Sequence, residues 1–372
     1  MAKIIKNLSV AGNPSTPGAV LSYLFQTEND NEVRCDLAAN PSTPVEILLQ
    51  LARLGNIHIF SSLSLNPKIN EELISILLDD DEDDEVAQVL ADNKFLEPQV
   101  FLALSENKNY RVRYHIAKNL ATPIKIIETL SRDKNSFVRS GVASNKNTPP
   151  SILFDFAKEK EEDGIRVCVA QNESAPTAAL ELLINDPEKS IREHAAKQPN
   201  LSTIKIAECA VKKGKDASIK ESVALNPSLP PELISNLSND ANDSVRASIS
   251  SNPSTPIEIL ESLIKDKDES VRNNIGLNPH ASNALLSILA KDQDDSTRWI
   301  LAFNENLPVS ILGILSMDSS ARVRASVASH LNSTPAILEA LSRDKDKSVR
   351  NNVARNPNTP IIVINEYAGV KK

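Results

Sequence analysis

The sequence predicts an all-α fold, a solenoid of about fourteen two-helix repeats. The phrase Asn-Pro-Ser-Thr-Pro begins at residues 13, 40 and 252 and returns as Asn-Pro-Asn-Thr-Pro at 356. Its first position recurs every 26 to 28 residues and is Asn in every copy except Gln198 and His330. With 9 Gly and 3% aromatic residues the chain lacks the turns and strands of an all-β fold, and its 41% apolar residues exclude disorder. We therefore expect one continuous array over residues 1–372.

The first helix of each repeat, helix A, follows the proline phrase. In residues 252–277, Thr255 can act as the N-cap, Pro256 fits the first helical position and Glu258 completes a capping box. The positions seven, eight and eleven residues after the Asn are apolar and share one helical face in every repeat but the eighth, which has Lys205 at the first of them. In residues 252–277 they are Ile259, Leu260 and Leu263.

The second helix, helix B, follows a polar bend and opens with a β-branched residue and an Arg, as in Val271-Arg272. Three and four residues later come an apolar and a small residue, as in Val327-Ala328, which suit close contact between helices. Isolated helices shorter than about 12–15 residues are marginal in water, so neighbouring repeats must supply the core.

This repeat resembles the leucine-rich repeat variant family, whose units read Asn-Pro-x-Thr-Pro, a Leu-rich helix, Asp and Val-Arg-x-x-Val-Ala. It is also similar to the wider HEAT-repeat class, in which an Asp in the bend precedes the Arg of helix B by six residues. The resemblance covers nearly the whole chain and implies a right-handed α-solenoid, with helix A outside and helix B lining a concave face. It implies no particular activity. Some members carry an N-terminal cysteine cluster for an iron–sulfur centre; the first cysteine here is Cys35, so we expect no such cofactor. The Asp/Arg matches are Asp133/Arg139, Asp186/Arg192, Asp240/Arg246, Asp266/Arg272, Asp292/Arg298, Asp318/Arg324 and Asp344/Arg350.

The repeated Arg of helix B forms a ladder that allows two interpretations. A row of guanidinium groups can follow a phosphate backbone, or each Arg can bond the Asp of its own repeat and nearby carbonyls. We favour the structural role, because the Asp repeats with the Arg and cancels its field. The ladder comprises Arg34, Arg113, Arg139, Arg166, Arg192, Arg246, Arg272, Arg298, Arg324 and Arg350, with Lys220 in register.

The repeated Asn also allows two interpretations. Asparagines on a concave face can hold an extended peptide, as in armadillo repeats, whereas an Asn that ends a helix before a Pro is typical of a turn. We favour the turn, in which Asn tolerates left-handed geometry and bonds local backbone.

An acidic run lies in the bend of the third repeat. Adjacent carboxylates repel one another and call for a basic partner or a divalent cation, but the run lacks the glycine and spacing of a calcium loop. We favour a solvated loop over a binding element. The ladder Arg is replaced nearby by Phe60 and Ala87, so 57–97 is the most divergent stretch and the best place for a specialised contact. The run is Asp79, Asp80, Asp81, Glu82, Asp83, Asp84 and Glu85.

Candidate partner-binding residues lie one and five positions after the ladder Arg, where side chains share a face of helix B. Most are small, but Trp299 and Phe303 form an aromatic pair in a chain with one Trp. Large amphipathic side chains are typical anchors for a partner, although Trp299 could instead fill a packing gap. Polar candidates, some of them next to these positions, are Tyr114, His115 and Lys118, then His194 and Lys197, then Asn351 and Arg355.

These features favour a cytoplasmic, non-enzymatic scaffold or adaptor that binds a protein or peptide along the concave groove. The alternative is a nucleic-acid-binding or DNA-processing protein that uses the Arg and Lys track, as HEAT-like DNA glycosylases do. A net charge of −8 weighs against that alternative. The three cysteines, Cys35, Cys168 and Cys209, show no metal-ligand spacing, and no apolar run is long enough to span a membrane. We expect no cofactor, metal or membrane partner.

The two ends of the sequence predict a further contact. Residues 3–11 read as a helix B and 360–367 as a helix A, so both ends are half repeats with apolar residues. We expect them to associate end to end with a second copy or with a separate partner. The residues concerned are Ile4, Ile5 and Leu8, and Val363, Ile364 and Tyr367.

Overall fold

The computed structural model describes residues 10–54, 56–79, 85–159, 163–211 and 217–367. Within these ranges it contains 27 complete helices and no β-strand. Helices A and B alternate along the chain, which is therefore an all-α solenoid of two-helix repeats, as the sequence predicts. The chain forms two compact units, Met1–Ile191 and Arg192–Lys372.

The first unit contains helices α1 to α13 and the start of α14. Odd-numbered helices in this unit are A helices, and even-numbered helices are B helices. Their bounds are α1 Gly18–Thr27, α2 Asn31–Ala39, α3 Val45–Ala52, α4 Ile57–Ser64, α5 Glu71–Asp79, α6 Glu85–Ala91, α7 Pro98–Ser105, α8 Tyr110–Lys118, α9 Ile124–Leu130, α10 Ser136–Ser144, α11 Pro150–Phe156, α12 Asp163–Gln171, α13 Thr177–Leu183 and α14 Lys189–Lys197.

The second unit contains the rest of α14 and the thirteen helices that follow, with the same alternation. Their bounds are α15 Thr203–Ala210, α16 Ala217–Ala224, α17 Pro231–Leu237, α18 Asp243–Ser251, α19 Ile257–Leu263, α20 Glu269–Ile275, α21 Asn283–Leu289, α22 Asp295–Leu301, α23 Val309–Leu315, α24 Ala321–Ser329, α25 Pro335–Leu341, α26 Lys347–Arg355 and α27 Ile361–Tyr367.

The core lies between the A and B helices of successive repeats. In α19, Leu260 and Leu263 are buried, whereas Ile259 at the edge of the predicted stripe is half-buried. Val271 and Ile275 of α20 are fully buried beside them. Each such aliphatic side chain contributes about 1.5–3 kcal/mol on burial. Within each unit, B helices pack against the B helix of the next repeat, as α8 does with α10 and α24 with α26.

The repeated Thr does not cap helix A as the sequence analysis predicts. Helix α19 begins after Pro256, and no side chain caps its N-terminus. The hydroxyl of Thr255 instead donates to the carbonyl of Ile249, six residues earlier, at 2.6 Å. That carbonyl lies in the last turn of α18, where it also accepts from the Asn252 N–H at 3.2 Å. The Thr therefore helps to end helix B instead of starting helix A.

The repeated Asn is extended, which corrects the expectation of left-handed geometry. Asn252 has φ −64° and ψ 123°, because the following proline restricts it to extended backbone. Its Oδ1 accepts from the Ser254 N–H at 2.8 Å. Its Nδ2 donates to two carbonyls of the preceding repeat, Ala224 at 2.7 Å and Asn226 at 2.9 Å. The Asn therefore joins repeats as well as forming the turn.

The divergent stretch 57–97 keeps this architecture. Phe60 and Ala87, which replace the ladder Arg, are buried, and Asn66 and Asn93 still donate to carbonyls of the preceding repeat. In the acidic run, Asp79 ends α5 and Glu85 begins α6, and residues 80–84 lie outside the described part.

Candidate functional site

The paired Arg residues of the ladder bind an Asp of the next repeat. This corrects the prediction that each Arg binds the Asp of its own repeat. Arg246 donates from Nε and Nη2 to both carboxylate oxygens of Asp266, 20 residues later, at 2.6 and 2.9 Å. It reaches its own repeat through Nη1, which donates to the main-chain carbonyl of Asp240 at 2.8 Å. The same two-oxygen pairing joins Arg113 to Asp133, Arg166 to Asp186, Arg272 to Asp292, Arg298 to Asp318 and Arg324 to Asp344, and Lys220 bonds Asp240 in register.

The paired ladder groups are almost fully covered, with 9% of the Arg246 side chain and 10% of the Asp266 side chain exposed. Hydrogen bonds from Arg246 hold the pKa of the Asp266 carboxyl below its ordinary value, against burial, which raises it. Because the pKa is lower in the folded state, ionisation of this carboxyl stabilises the fold at pH values above the unfolded pKa of about 3.9. That stabilisation is lost as the pH falls through the pKa of the folded state. These guanidinium groups are engaged in hydrogen bonds within the protein.

Two ladder positions, Arg34 and Arg139, depart from this pattern. Arg34 donates to Asn29 Oδ1 at 2.7 Å, and its buried Nε has no partner among the described residues, because Leu54 stands where the Asp belongs. The Nε of Arg139 lies 4.0 Å from a carboxylate oxygen of Glu159. The positions 20 residues after Arg192 and Arg350 lie outside the described part.

A cavity of about 940 Å³ opens on the B helices of the second unit. Trp299 from α22 is half-buried in its wall and meets Phe303, which is 55% exposed, edge to face at 5.1 Å between ring centres. Space remains beside the rings because the facing side chains of α24 are small. They are Ala325, Ser326 and Ser329.

Arg322 forms the charged side of this aromatic cavity. Its guanidinium carbon lies 4.3 Å from the centre of the Trp299 ring, and its Nε lies 3.7 Å from Asp295 Oδ2. Nearly half of the Arg322 side chain is exposed, so the guanidinium is accessible at the mouth. Other polar groups complete the rim: Glu305, Asn306, Asn332, Asp346, Ser348 and Asn352.

Two residues that line the cavity, Asn352 and His330, are fixed by bonds to their neighbours. Asn352 donates from Nδ2 to the carbonyl of Ala325 at 2.9 Å. His330, which replaces the repeated Asn, accepts from the Asn332 N–H at 3.0 Å on Nδ1, so its Nε2 carries the proton and donates to the Asn304 carbonyl at 2.9 Å. His330 as a residue is 9% exposed, and its ring stabilises the turn.

In the first unit, Tyr114, His115 and Lys118 lie together on α8. Lys118 Nζ is 5.4 Å from the centre of the Tyr114 ring, and the His115 Nδ1 is 2.9 Å from Asp92 Oδ1. Tyr114 also packs on α10, where a Cβ added at Gly141 would lie 3.0 Å from its ring. Tyr114 is therefore partly used in joining two B helices.

The remaining candidates are dispersed. On α14, His194 is half-buried and Lys197 is exposed, and Asn351 and Arg355 are exposed on α26 outside the aromatic cavity. Ile364 of α27 is 42% exposed whereas Val363 is buried, which corrects the expectation that both are uncovered. Ile4, Ile5 and Leu8 lie outside the described residues, and the side chain of Tyr367 is not described. Association through the ends stays a prediction.

The sequence analysis did not identify the residues two positions before and two positions after the ladder Arg as part of the cavity. Arg322 and Asn352 occupy these positions and line the cavity. The signal was present in α24, since Arg322, Ala325, Ser326 and Ser329 lie at i, i+3, i+4 and i+7 on one helical face.

The fold defines the chain as an α-helical repeat protein. Among solved structures it is similar to a leucine-rich repeat variant with a novel repetitive structural motif, at 20% identity and a TM-score of 0.37, over 60% of this chain and 87% of that one. It is also similar to an engineered protein, at 14% identity and a TM-score of 0.18, over 94% of this chain and 92% of that one. No protein-family profile and no curated protein matches the chain.

Two further properties concern the described ranges alone. None of their helices has the length and apolar character needed to cross a lipid bilayer. The same ranges contain no group of three or more His, Cys, Asp or Glu side chains placed to hold a metal ion.

Proposed function

We propose that this protein is a non-enzymatic scaffold or adaptor that binds a protein or peptide along its B helices, with the aromatic cavity as the main anchor. The observation that carries this proposal is the Trp299–Phe303 pair beside a cavity of about 940 Å³. Binding pockets of about 300–1,000 Å³ combine an apolar wall with a few placed polar groups, and Trp and Arg are enriched among anchoring residues. The cavity has both.

The mechanism is capture by a preformed surface. Small residues on α24 leave room for one apolar side chain against the rings, and Arg322 and the rim can bond the partner's backbone. Because Asn352 is already held by the Ala325 carbonyl, its amide oxygen has a fixed direction. Little side-chain freedom is lost on binding, which favours affinity.

Selection from a random peptide display library on the full chain tests this proposal. Peptides that bind the wild type should bind Trp299→Ala at least tenfold more weakly, because a buried anchor contributes more than about 2 kcal/mol. Met317→Ala is the matched control, since Met317 is 81% exposed and does not line the cavity. Equal loss in both variants, or no loss in either, would contradict the proposal.

A gel shift at low salt tests the nucleic-acid alternative. The buried Arg–Asp pairs and the net charge of −8 predict no shift with DNA or RNA. A shift that weakens steeply with salt would favour the alternative.

We also propose that the protein is cytoplasmic. Cys35, Cys168 and Cys209 are thiols and not disulfides, as expected in a reducing environment. Cell fractionation checks this.

A further inference from the structure

The second unit contains a smaller pocket that is built from the same repeat positions as the aromatic cavity. A pocket of about 390 Å³ lies among α16, α18 and α20. Each of its ten lining residues is 78 residues before a lining residue of the aromatic cavity, which is three repeats of 26. Ala247 thus corresponds to Ala325 and Asn274 to Asn352. Both pockets are therefore products of the same B-helix packing.

The polar framework of the two pockets is also the same. Asn274 donates from Nδ2 to the Ala247 carbonyl at 2.9 Å, as Asn352 does to Ala325. In the described part of the chain neither amide oxygen accepts a hydrogen bond, so each is an oriented acceptor. An acceptor at this place suits the N–H of an extended chain that crosses the B helices.

The side chains that fill the framework differ in charge. Where the aromatic cavity has Trp299, the smaller pocket has Glu221, and Asp243 and Asp268 complete an acidic wall with no Lys or Arg among the lining residues. Asp268 is fixed as the N-cap of α20, because its Oδ1 accepts from the Ser270 N–H at 2.9 Å. A narrow acidic pocket is complementary to a long cationic side chain.

We infer that one extended basic peptide binds both pockets, with an apolar side chain in the aromatic cavity and a Lys or Arg side chain in the acidic pocket. The inference rests on the proposed function and names the chemistry of its partner. Adjacent packed helices lie about 8–10 Å apart, so three repeats span about 24–30 Å. An extended chain covers about 3.3–3.6 Å per residue, which separates the two side chains by about 7–9 residues.

The test uses the peptides selected on the full chain from a library of random 16-residue sequences. They should share an apolar residue and a Lys or Arg about 7–9 positions apart, a spacing that follows from the helix geometry. A fluorescein-labelled selected peptide is then titrated and followed by anisotropy. Glu221→Gln combined with Asp243→Asn should weaken binding about fivefold or more at low salt, with less effect at high salt.

Two controls isolate the charge contact. Glu261→Gln, an exposed acid on helix α19, should leave binding unchanged. The same peptide with its Lys or Arg replaced by Ala should bind more weakly and should no longer distinguish wild type from the double variant.

The outcomes separate the two claims. If selected peptides need Trp299 but show no basic residue at this spacing, or ignore the double variant, the inference is overturned and the proposed function stands. If peptides rich in Asp and Glu are selected, the inference is likewise overturned. If Trp299→Ala changes no peptide's affinity, the proposed function fails and the inference fails with it.

Discussion

Removing one ladder Arg is expected to destabilise the second unit substantially. In wild type, Arg324 donates to both Asp344 oxygens at 2.7 and 2.9 Å and to the carbonyls of Asp318 and Ser319 at 2.7 and 3.0 Å. In Arg324→Ala, the Asp344 carboxylate, whose side chain is 9% exposed, keeps the Asp346 N–H at 2.8 Å as a hydrogen-bond donor among the described residues.

The magnitude follows from this geometry. Breaking a buried ion pair costs about 3–5 kcal/mol, because an unpaired charge stays behind. Since the Asp344 carboxylate keeps one main-chain donor, we take the lower end, about 3 kcal/mol. In a unit of this size that corresponds to a fall in Tm of about 6–12 °C.

Urea titration and thermal melting, followed by circular dichroism, measure the loss. Because repeat arrays can unfold in parts, hydrogen exchange of α24 to α26 locates it. Arg322→Ala is the matched control on the same helix. Its exposed side chain should cost less than about 1 kcal/mol. Arg324→Ala combined with Asp344→Ala should recover part of the loss, since no charge is stranded. If Arg324→Ala and Arg322→Ala have the same melting temperature, the ladder does not stabilise the stack.

Four further substitutions test other contacts in the stack. Gly141→Ala should lower the free energy of unfolding by about 1 kcal/mol, because its Cβ would meet α8. Gly313→Ala, whose Cβ would have nothing within 4 Å, should raise it by up to about 1 kcal/mol. Thermal melting measures both changes. His330→Asn should raise stability by about 0.5–1 kcal/mol, since a second amide hydrogen can reach the preceding repeat; a loss would show that the ring itself is needed. Stability should fall as the pH drops below about 3.9, and Asp266→Asn should flatten part of that fall; an unchanged acid profile would contradict the lowered pKa.

The repeats, helices and ladder positions were predictable from the sequence, but the ladder partner was not. A period of 26 places an Asp both six residues before and 20 residues after the same Arg, as Asp240 and Asp266 flank Arg246. Both spacings recur equally, so the sequence cannot distinguish them. The Arg246 side chain bonds the main-chain carbonyl of Asp240, the Asp of its own repeat. The carboxylate that it bonds is that of Asp266 in the next repeat.

The candidate site was predictable in part. Trp299 and Phe303 are conspicuous in a chain with one Trp. The cavity beside them depends on which flank of α24 faces α22, and that follows from helix crossing geometry that no single helix specifies. The extended Asn, by contrast, could have been predicted, because a residue before proline disfavours helical and left-handed backbone.

The fluorescence of Trp299 tests the central claim most directly, because the chain contains one Trp and its ring lies in the wall of the aromatic cavity. A selected peptide is titrated into the wild-type protein while Trp emission and peptide anisotropy are recorded together. The account predicts a saturable change in emission with the same midpoint as the anisotropy, since an apolar side chain in the cavity displaces water from the ring. Full binding by anisotropy with unchanged Trp299 emission, and equal affinity for Trp299→Ala, would contradict it.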